Sequence, residues 1–199
     1  MASSSALASS AAPAEAVSPS TATRQLAAQV LLAGDHRQRA FAVVDKRAAS
    51  IAVYSARGQL VGAATALLGL APGDRSVPGV GLRTEQRQLR PSDMTTKAGR
   101  FDTEPGLHLS GDRVVWLDYD DALAIHRVRA GPQRADRLQR LGQDSATERR
   151  VSAGCVVVSE VFFDQVVAPM LGRTRGVVYV MPEQGPWQAL WPDLAAAGG

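Results

Sequence analysis

Short apolar or β-branched runs recur along the chain, and turn-prone or charged residues separate them. Runs of this length and composition are typical of β-strands rather than of helices. The first three lie close together in sequence, as in a β-meander. The pattern predicts strands at residues 40–45, 50–55, 59–63, 114–118, 123–128 and 176–181, with a further β-prone run at 155–158.

Fewer segments have a helical pattern than have a strand pattern. Residues 23–32 combine good helix formers with apolar side chains at helical spacing, which predicts a short helix. Ser159 is a suitable N-cap, and the apolar residues that follow it recur every four positions, which predicts the main helix. The polar, arginine-rich segment 130–150 fits a short solvated helix or a mobile loop, and glycines and prolines mark residues 70–93 as a loop region.

Six or more strands with one main helix near the C-terminus indicate a mainly β or α+β fold, and they argue against βαβ winding. A chain of 199 residues is long enough for one domain with its own core. We expect four parts: a flexible Ser/Ala/Pro-rich tail at 1–23, a short helix and connector at 24–38, the main domain at 39–182 and a C-terminal tail at 183–199.

The composition is that of a folded globular protein, with 45% apolar and 21% charged residues. A net charge of +3 does not by itself indicate nucleic-acid binding. No apolar run is long enough to predict a transmembrane segment. The first 23 residues lack the basic and apolar regions of a signal peptide, so an export signal would be absent from this sequence or lie upstream of it.

The chain contains a single cysteine, Cys155, which excludes an intrachain disulfide. It follows Gly154 in a small-residue turn, where the backbone can approach a substrate closely and N–H groups can receive an oxyanion. A cysteine nucleophile needs a base or a positive charge nearby. A lone free cysteine is more often an inert buried residue, so the surrounding residues must decide between the two interpretations.

The three histidines, His36, His108 and His126, all precede the cysteine. This order excludes the papain-like peptidases, in which the cysteine comes first. His126 is the best candidate base because it lies in a predicted strand, 29 residues before Cys155. His108 could line a cleft. The histidines and the cysteine are too scattered for a zinc-ligand pattern, so we predict neither a metal nor a cofactor.

A strand histidine, a spacer and then Ser-x-Gly-Cys resemble the catalytic motif of L,D-transpeptidases, the YkuD-type domain. The matching residues are His126, Ser152, Gly154 and Cys155. Family members often have a histidine or another polar residue where Ala153 stands.

A second part of the resemblance lies upstream. Residues 96–101, Thr-Lys-Ala-Gly-Arg-Phe, are similar to the family's Thr-Pro-x-Gly-x-Phe loop, with Lys97 at the proline position. Gly99 and Phe101 match the loop's glycine and aromatic residue. Two further departures are Val157, where the family often has Arg or Asn, and Arg127, where it usually has glycine. The resemblance covers about residues 40–182.

This resemblance implies a YkuD-type, β-sandwich-like domain of mixed sheets with one main helix after the catalytic cysteine. It also implies a two-step acyl transfer in which His126 takes the Cys155 proton and the thiolate attacks a peptidoglycan stem peptide. Gly154, Ser152 and Ala153 would shape the oxyanion site, and His108, Gly99, Phe101 and Arg127 are candidates for the substrate cleft. Carbapenems would be inhibitors, and the compartment would be the bacterial cell envelope, in the periplasm.

Three alternatives stay open on the sequence. A sortase also places histidine before cysteine, but Ser-Ala-Gly precedes the cysteine here instead of the sortase Thr-Leu-x-Thr. A catalytically silent envelope module that binds peptidoglycan would explain Ala153 and Val157. A β domain whose arginine-rich loop binds acidic partners has less support, because acidic residues interrupt the basic positions of that loop.

Overall fold

The computed structural model describes residues 17–108 and 110–197. Most of the predicted tail, residues 1–16, lies outside the described residues. The strands are β1 Phe41–Asp45, β2 Ser50–Tyr54, β3 Leu60–Thr65, β4 Leu68–Gly69, β5 Gly99–Asp102, β6 Glu104–Leu107, β7 Arg113–Asp118, β8 Leu123–Arg127, β9 Arg150–Ser152, β10 Val156–Val158 and β11 Val177–Val180. The helices are α1 Thr21–Ala33, α2 Val80–Glu85, α3 Arg134–Leu141, α4 Glu160–Phe162, α5 Trp187–Leu190 and α6 Pro192–Ala196.

The first sheet has the strand order β3-β2-β1-β11-β5. Its pairs are antiparallel except for β1 and β11, which run parallel with Phe41 opposite Val177. Every residue of β1, β2 and β11 is buried. Strands covered on both faces are continuous apolar runs rather than alternating ones, which explains why their sequences contain so few polar positions.

The second sheet has the order β10-β8-β7-β6. β8 and β10 are parallel, and the chain between them passes through α3 and β9. This local parallel crossover differs from the expectation of no βαβ winding. Because β8 and β10 are parallel, the chain must return to the same end of the sheet before β10 begins. This return needs a connection longer than the tight turn that joins antiparallel neighbours. β4 and β9 form a separate two-stranded parallel sheet.

The main core lies between the two large sheets and includes the helical segment after Cys155. Ser159 caps α4 by accepting a hydrogen bond from the Phe162 N–H at 3.2 Å, as its sequence predicts. The helix continues as a π-helix over Phe163–Gly172, a segment containing Pro169, which has no N–H to donate to an α-helical ladder.

A second apolar cluster covers the other face of the first sheet. There α1 packs with residues of β1, β2 and β11. α5 and α6 belong to the same cluster through the buried Trp187 and Leu194. Residues 183–197, which were expected to be a tail, therefore contain two short helices that pack on the domain.

The predicted α+β class is confirmed, and six of the predicted strands correspond to β1, β2, β3, β7, β8 and β11. β4, β5, β6 and β9 are short or polar and are not predicted from the sequence, and α2 lies in a segment predicted to be a loop. No helix among the described residues has the length and apolar character needed to span a bilayer.

Candidate functional site

The parallel pair β8 and β10 brings the two candidate catalytic residues to one face of the second sheet. Ile125 lies opposite Val156, and both belong to the main core. Side chains alternate along a strand, so His126 turns to the opposite face, and Cys155, which directly precedes β10, also lies outside the main core. Cys155 accordingly packs against a separate cluster, formed by Leu67, Val128, Leu141 and Val157.

Ser152 fixes the shape of the turn before the cysteine. Its Oγ accepts a hydrogen bond from the Gly154 N–H at 3.1 Å and donates one to the Cys155 carbonyl at 2.6 Å. Gly154 has a φ of 126°, a conformation that favours glycine. A Cβ at this position would also lie 3.0 Å from the Thr95 carbonyl oxygen, so a close backbone approach adds a second reason for glycine.

The two sequence segments that resemble family motifs meet at Thr96. This fully buried threonine accepts a hydrogen bond from the Gly69 N–H at 2.8 Å and donates one to the Gly154 carbonyl at 2.7 Å. Its hydroxyl thereby joins the loop at 95–98 to the turn that carries Cys155. A buried hydroxyl that satisfies both a donor and an acceptor holds these segments in a fixed relation.

Lys97 also has a defined place. Its Nζ donates to Asp118 at 2.8 Å and to Asp121 at 2.7 Å, at the end of β7 and in the turn before β8. Burial opposes the charged form, but the two carboxylates outweigh it and raise the pKa of Lys97. The residue at the family's proline position thus ties its loop to the β7–β8 turn.

His126 is 5% exposed, and its Nδ1 lies 2.7 Å from the Arg127 carbonyl oxygen. A carbonyl oxygen can only accept, so Nδ1 carries the hydrogen and Nε2 is left with a free lone pair. Burial lowers the pKa of His126 to about 3, and the nearby charge of Arg129 acts in the same direction. The imidazole is therefore neutral at pH 7, and its burial opposes the uptake of a proton at Nε2.

Cys155 is partly exposed, and its thiol donates to the Ala122 carbonyl at 3.4 Å. Burial raises the pKa of the thiol, while a hydrogen bond from the Ala124 backbone and the charges of Arg129 and Arg137 act to lower it. The thiol is consequently protonated at rest. The backbone of Ala124 and the two arginines favour the thiolate once it forms.

The remaining predicted residues divide into two groups. His108 and Arg127 line one cavity of about 530 Å³ beside the end of β8, and Arg129 lines it with them. Gly99 and Phe101 lie on β5 of the first sheet, where Phe101 is buried in the main core. The structure therefore does not bring those two residues to the cavity. Ala153 is exposed at the tip of the turn.

Three features of this site are not predicted from the sequence. The first is the Arg127 carbonyl that orients His126, because a backbone group has no signature in the sequence. The second is Thr96, whose role depends on contacts with residues far away in the chain. The third is Arg129, which directly precedes the arginine-rich segment 130–150 and belongs to no recognisable motif. Among the described ranges, no group of three or more His, Cys, Asp or Glu residues is placed to hold a metal ion.

Several solved structures are similar to this chain, at low sequence identity. A fused Zn-dependent amidase/peptidase/peptidoglycan-binding domain-containing protein from Clostridium acetobutylicum ATCC 824 has a TM-score of 0.44 and 13% identity, over 82% of this chain and 63% of that chain. A cysteine-to-serine mutant of an Enterococcus faecium L,D-transpeptidase has a TM-score of 0.40 and 15% identity, over 72% of this chain and 50% of that chain. The catalytic domain of an E. faecium L,D-transpeptidase has a TM-score of 0.36 and 15% identity, over 72% and 98%.

The similar structures thus include L,D-transpeptidase catalytic domains, the family that the sequence motifs resemble. The matches span less than two thirds of the first two of these chains. No protein-family model and no curated protein matches the chain. Likenesses at these TM-scores carry no information about activity, which has to be argued from the residues of the site.

Proposed function

We propose that this protein is a cysteine acyltransferase of the L,D-transpeptidase kind, with Cys155 as nucleophile and His126 as base. One observation carries the proposal. His126 lies on β8, Cys155 directly precedes the adjacent parallel strand β10, and the Arg127 carbonyl fixes the imidazole as the tautomer whose Nε2 has the free lone pair. A nucleophile, a base and a group that orients the base are the parts that thiol acyl transfer requires.

The resting charge states of Cys155 and His126 determine the order of the proton transfers. The resting pair is a neutral thiol and a neutral imidazole, because burial raises the pKa of Cys155 and lowers that of His126. His126 Nε2 takes the thiol proton as the sulfur attacks the carbonyl of the third residue in a stem tetrapeptide. The proton then passes to the leaving amine, terminal D-alanine departs and a thioester remains on Cys155.

An amine from a second stem peptide attacks the thioester and gives a proton to His126, the C–S bond breaks to leave a 3→3 cross-link, and His126 passes that proton to the departing thiolate. With water as the acceptor, the same enzyme acts as an L,D-carboxypeptidase. The oxyanion of each step needs N–H donors near Cys155. The Gly154 N–H already bonds to Ser152 Oγ, so the Cys155 N–H is the donor that we assign first. A substrate of this kind places the protein in the bacterial cell envelope.

Acylation by a carbapenem tests the nucleophile directly. Wild type, Cys155→Ala and His126→Gln are exposed to the drug and analysed by intact mass. We expect one adduct on wild type, none on Cys155→Ala and a much slower adduct on His126→Gln. No adduct on wild type, or an undiminished adduct on Cys155→Ala, overturns the assignment.

The reaction itself is tested with a disaccharide tetrapeptide. Release of D-alanine with formation of a cross-linked dimer supports transpeptidation, and release of D-alanine with a tripeptide product supports carboxypeptidation. Both products must disappear in Cys155→Ala. Thermal unfolding of the variant provides the check that it is folded.

A second candidate is a catalytically silent module that binds peptidoglycan. The burial that raises the pKa of Cys155 favours it, because an inert thiol is the ordinary state of a buried cysteine. Ala153 and Val157 point the same way, since they lack the polar groups common in the family. Co-sedimentation with peptidoglycan sacculi that is equal for wild type and Cys155→Ala, without any adduct or product, favours this candidate.

A further inference from the structure

Two aromatic side chains lie together at the surface of the second sheet. The ring centroids of Trp116, on β7, and Tyr119, which follows β7, are 5.1 Å apart at an angle of 68°, an edge-to-face pair. Tyr119 is 71% exposed and Trp116 is half-buried. Adjacent exposed aromatic rings that carry an N–H or O–H group are typical of ligand-binding surfaces.

The glycine at position 106 allows the indole of Trp116 to lie across the neighbouring strand β6. A Cβ added to Gly106 would lie 2.4 Å from Trp116 Nε1 and 2.5 Å from its Cδ1, closer than such atoms approach in proteins. Gly106 does not belong to the glycines with a positive φ, so its backbone conformation does not by itself require glycine. The absence of a side chain therefore serves the position of the indole, and two strands together hold Trp116 in place.

Strand register puts Trp116 on the same face of the sheet as the proposed base. Trp116 lies directly opposite Ala124 of β8, and residues directly opposite each other in an antiparallel pair share a face. His126 follows Ala124 by two positions on β8, so it lies on that face too. The residues on either side of Trp116, Val115 and Leu117, belong instead to the main core.

The proposed nucleophile lies across β8 from Trp116. Cys155 directly precedes β10, which pairs with β8, and its thiol donates to the Ala122 carbonyl at 3.4 Å. The backbones of Cys155 and Trp116 are therefore two strand spacings apart, about 10 Å. Three residues of a stem tetrapeptide lead from the glycan to the scissile carbonyl, a reach of about 10 Å for an extended chain. A stem peptide whose carbonyl lies at the sulfur thus has its sugar within reach of the aromatic pair.

We propose that Trp116 and Tyr119 form a sugar-binding platform that holds the glycan end of the acyl donor. The inference rests on the acyl transfer proposed above, and it assigns the N-acetylhexosamine that carries the stem peptide as the ligand. One face of a pyranose ring presents C–H groups, whose small positive charge complements the negative face of an aromatic ring. The indole N–H and the phenol hydroxyl can hydrogen-bond to the hydroxyl and amide groups at the rim of the sugar.

Binding of the sugar is measured by calorimetry on the Cys155→Ala chain, which forms no acyl-enzyme. Two ligands are compared: a disaccharide tetrapeptide and the same tetrapeptide without its sugars. We expect the disaccharide tetrapeptide to bind about ten-fold more tightly, the change in affinity that one or two aromatic contacts produce. Equal affinities for the two ligands overturn the platform.

Adding Trp116→Ala to this chain should bring the preference for the disaccharide tetrapeptide close to one, and Tyr119→Ala should reduce it. Gly106→Ala should reduce it as well, because the added methyl group displaces the indole. Leu32→Ala, which removes an apolar side chain that is 65% exposed near the end of α1, is the matched control and should keep the full preference. An equal loss of preference in Leu32→Ala overturns the platform. A loss of affinity in Trp116→Ala that is the same with and without the sugars overturns the sugar as ligand, because the rings would then contact the peptide.

Trp116 is half-buried, so the variants are first checked for folding by thermal unfolding. Should Trp116→Ala fail to fold, Tyr119→Ala decides, because the Tyr119 ring is mostly exposed. An unchanged preference in that variant overturns the platform. Failure here is distinguishable from failure of the acyl transfer. Carbapenem acylation of wild type without any preference for the sugar removes only the platform, whereas preference for the sugar without acylation removes only the catalytic role.

Discussion

The Thr96 hydroxyl donates a hydrogen bond to the Gly154 carbonyl at 2.7 Å, joining two segments that are 58 residues apart in the chain. The same hydroxyl accepts from the Gly69 N–H. The turn before Cys155 is therefore positioned by a threonine in a different loop as well as by its own residues. This arrangement makes the geometry of the candidate nucleophile sensitive to substitutions outside the cysteine motif.

Thr96→Val keeps the shape of the side chain and removes both hydrogen bonds. We expect a loss of about 1–3 kcal/mol in the free energy of unfolding, because buried backbone groups lose their partner. The rate of Cys155 acylation should fall as well. Urea unfolding and acylation kinetics by intact mass measure the two effects.

Thr103→Val is the matched control for that variant. Thr103 is also fully buried, and its hydroxyl donates to the Leu171 carbonyl and accepts from the Gly176 N–H, remote from Cys155. The Thr103→Val variant should lose a similar amount of unfolding free energy as Thr96→Val and keep the wild-type rate of Cys155 acylation. An equal loss of acylation in both variants would mean that the Thr96 effect is global destabilisation.

Gly154→Ala combines backbone strain with a steric contact. A residue with a Cβ is strained at a φ of 126° by about 1–3 kcal/mol, and the new Cβ lies 3.0 Å from Thr95 O. Gly131→Ala is the control, since Gly131 has a φ of 137° and no neighbour within 4 Å of an added Cβ. Thermal unfolding should show a larger destabilisation for Gly154→Ala, and only this variant should lose acylation. Equal melting temperatures would argue against the close approach.

Ser152→Ala leaves the Gly154 N–H and the Cys155 carbonyl without their side-chain partner. We expect a destabilisation of about 1–3 kcal/mol and slower acylation, because the turn loses its internal brace. Ser159→Ala removes the α4 cap and should cost about 1 kcal/mol while acylation continues. A Ser152→Ala variant that is acylated at the wild-type rate would show that the Ser152 hydrogen bonds are not needed to position Cys155.

His126 makes the folded state sensitive to acid. Its pKa is about 3 in the folded protein and 6.5 in the unfolded chain, so the unfolded chain binds one proton more between these values. Its contribution to stability is complete above pH 6.5 and falls as the pH decreases towards 3, by at most about 1.4 kcal/mol per pH unit. Urea unfolding at pH 7 and pH 5 should show this loss in wild type and a smaller loss in His126→Gln.

His108→Gln serves as the comparison. Burial lowers the pKa of His108 too, with the Arg129 charge acting in the same direction, but its side chain is only partly buried. Substitution of His108 should therefore change the pH dependence of the unfolding free energy less than substitution of His126 does. If His126→Gln keeps the full acid sensitivity of wild type, the buried neutral imidazole is not its source.

Local sequence determined the strands and the chemical candidates. The apolar runs that became β1, β2 and β11 were recognisable because each is buried on both faces. The order of histidine and cysteine, and the small residues before Cys155, identified a candidate pair. The segments that were missed or misassigned, among them β5, β6 and the α5–α6 tail, are short and mix polar with apolar positions, so their states depend on neighbouring elements.

Only the tertiary structure decided how the candidates relate to one another. Parallel pairing of β8 with β10 brought the strand of His126 beside the strand that Cys155 directly precedes, and strand pairing between distant segments has no local signature. Burial set the pKa directions of both groups, since the cost of charge depends on what surrounds it. The Arg127 carbonyl and the Thr96 hydroxyl acquire their significance from three-dimensional contacts, which residue types alone do not specify.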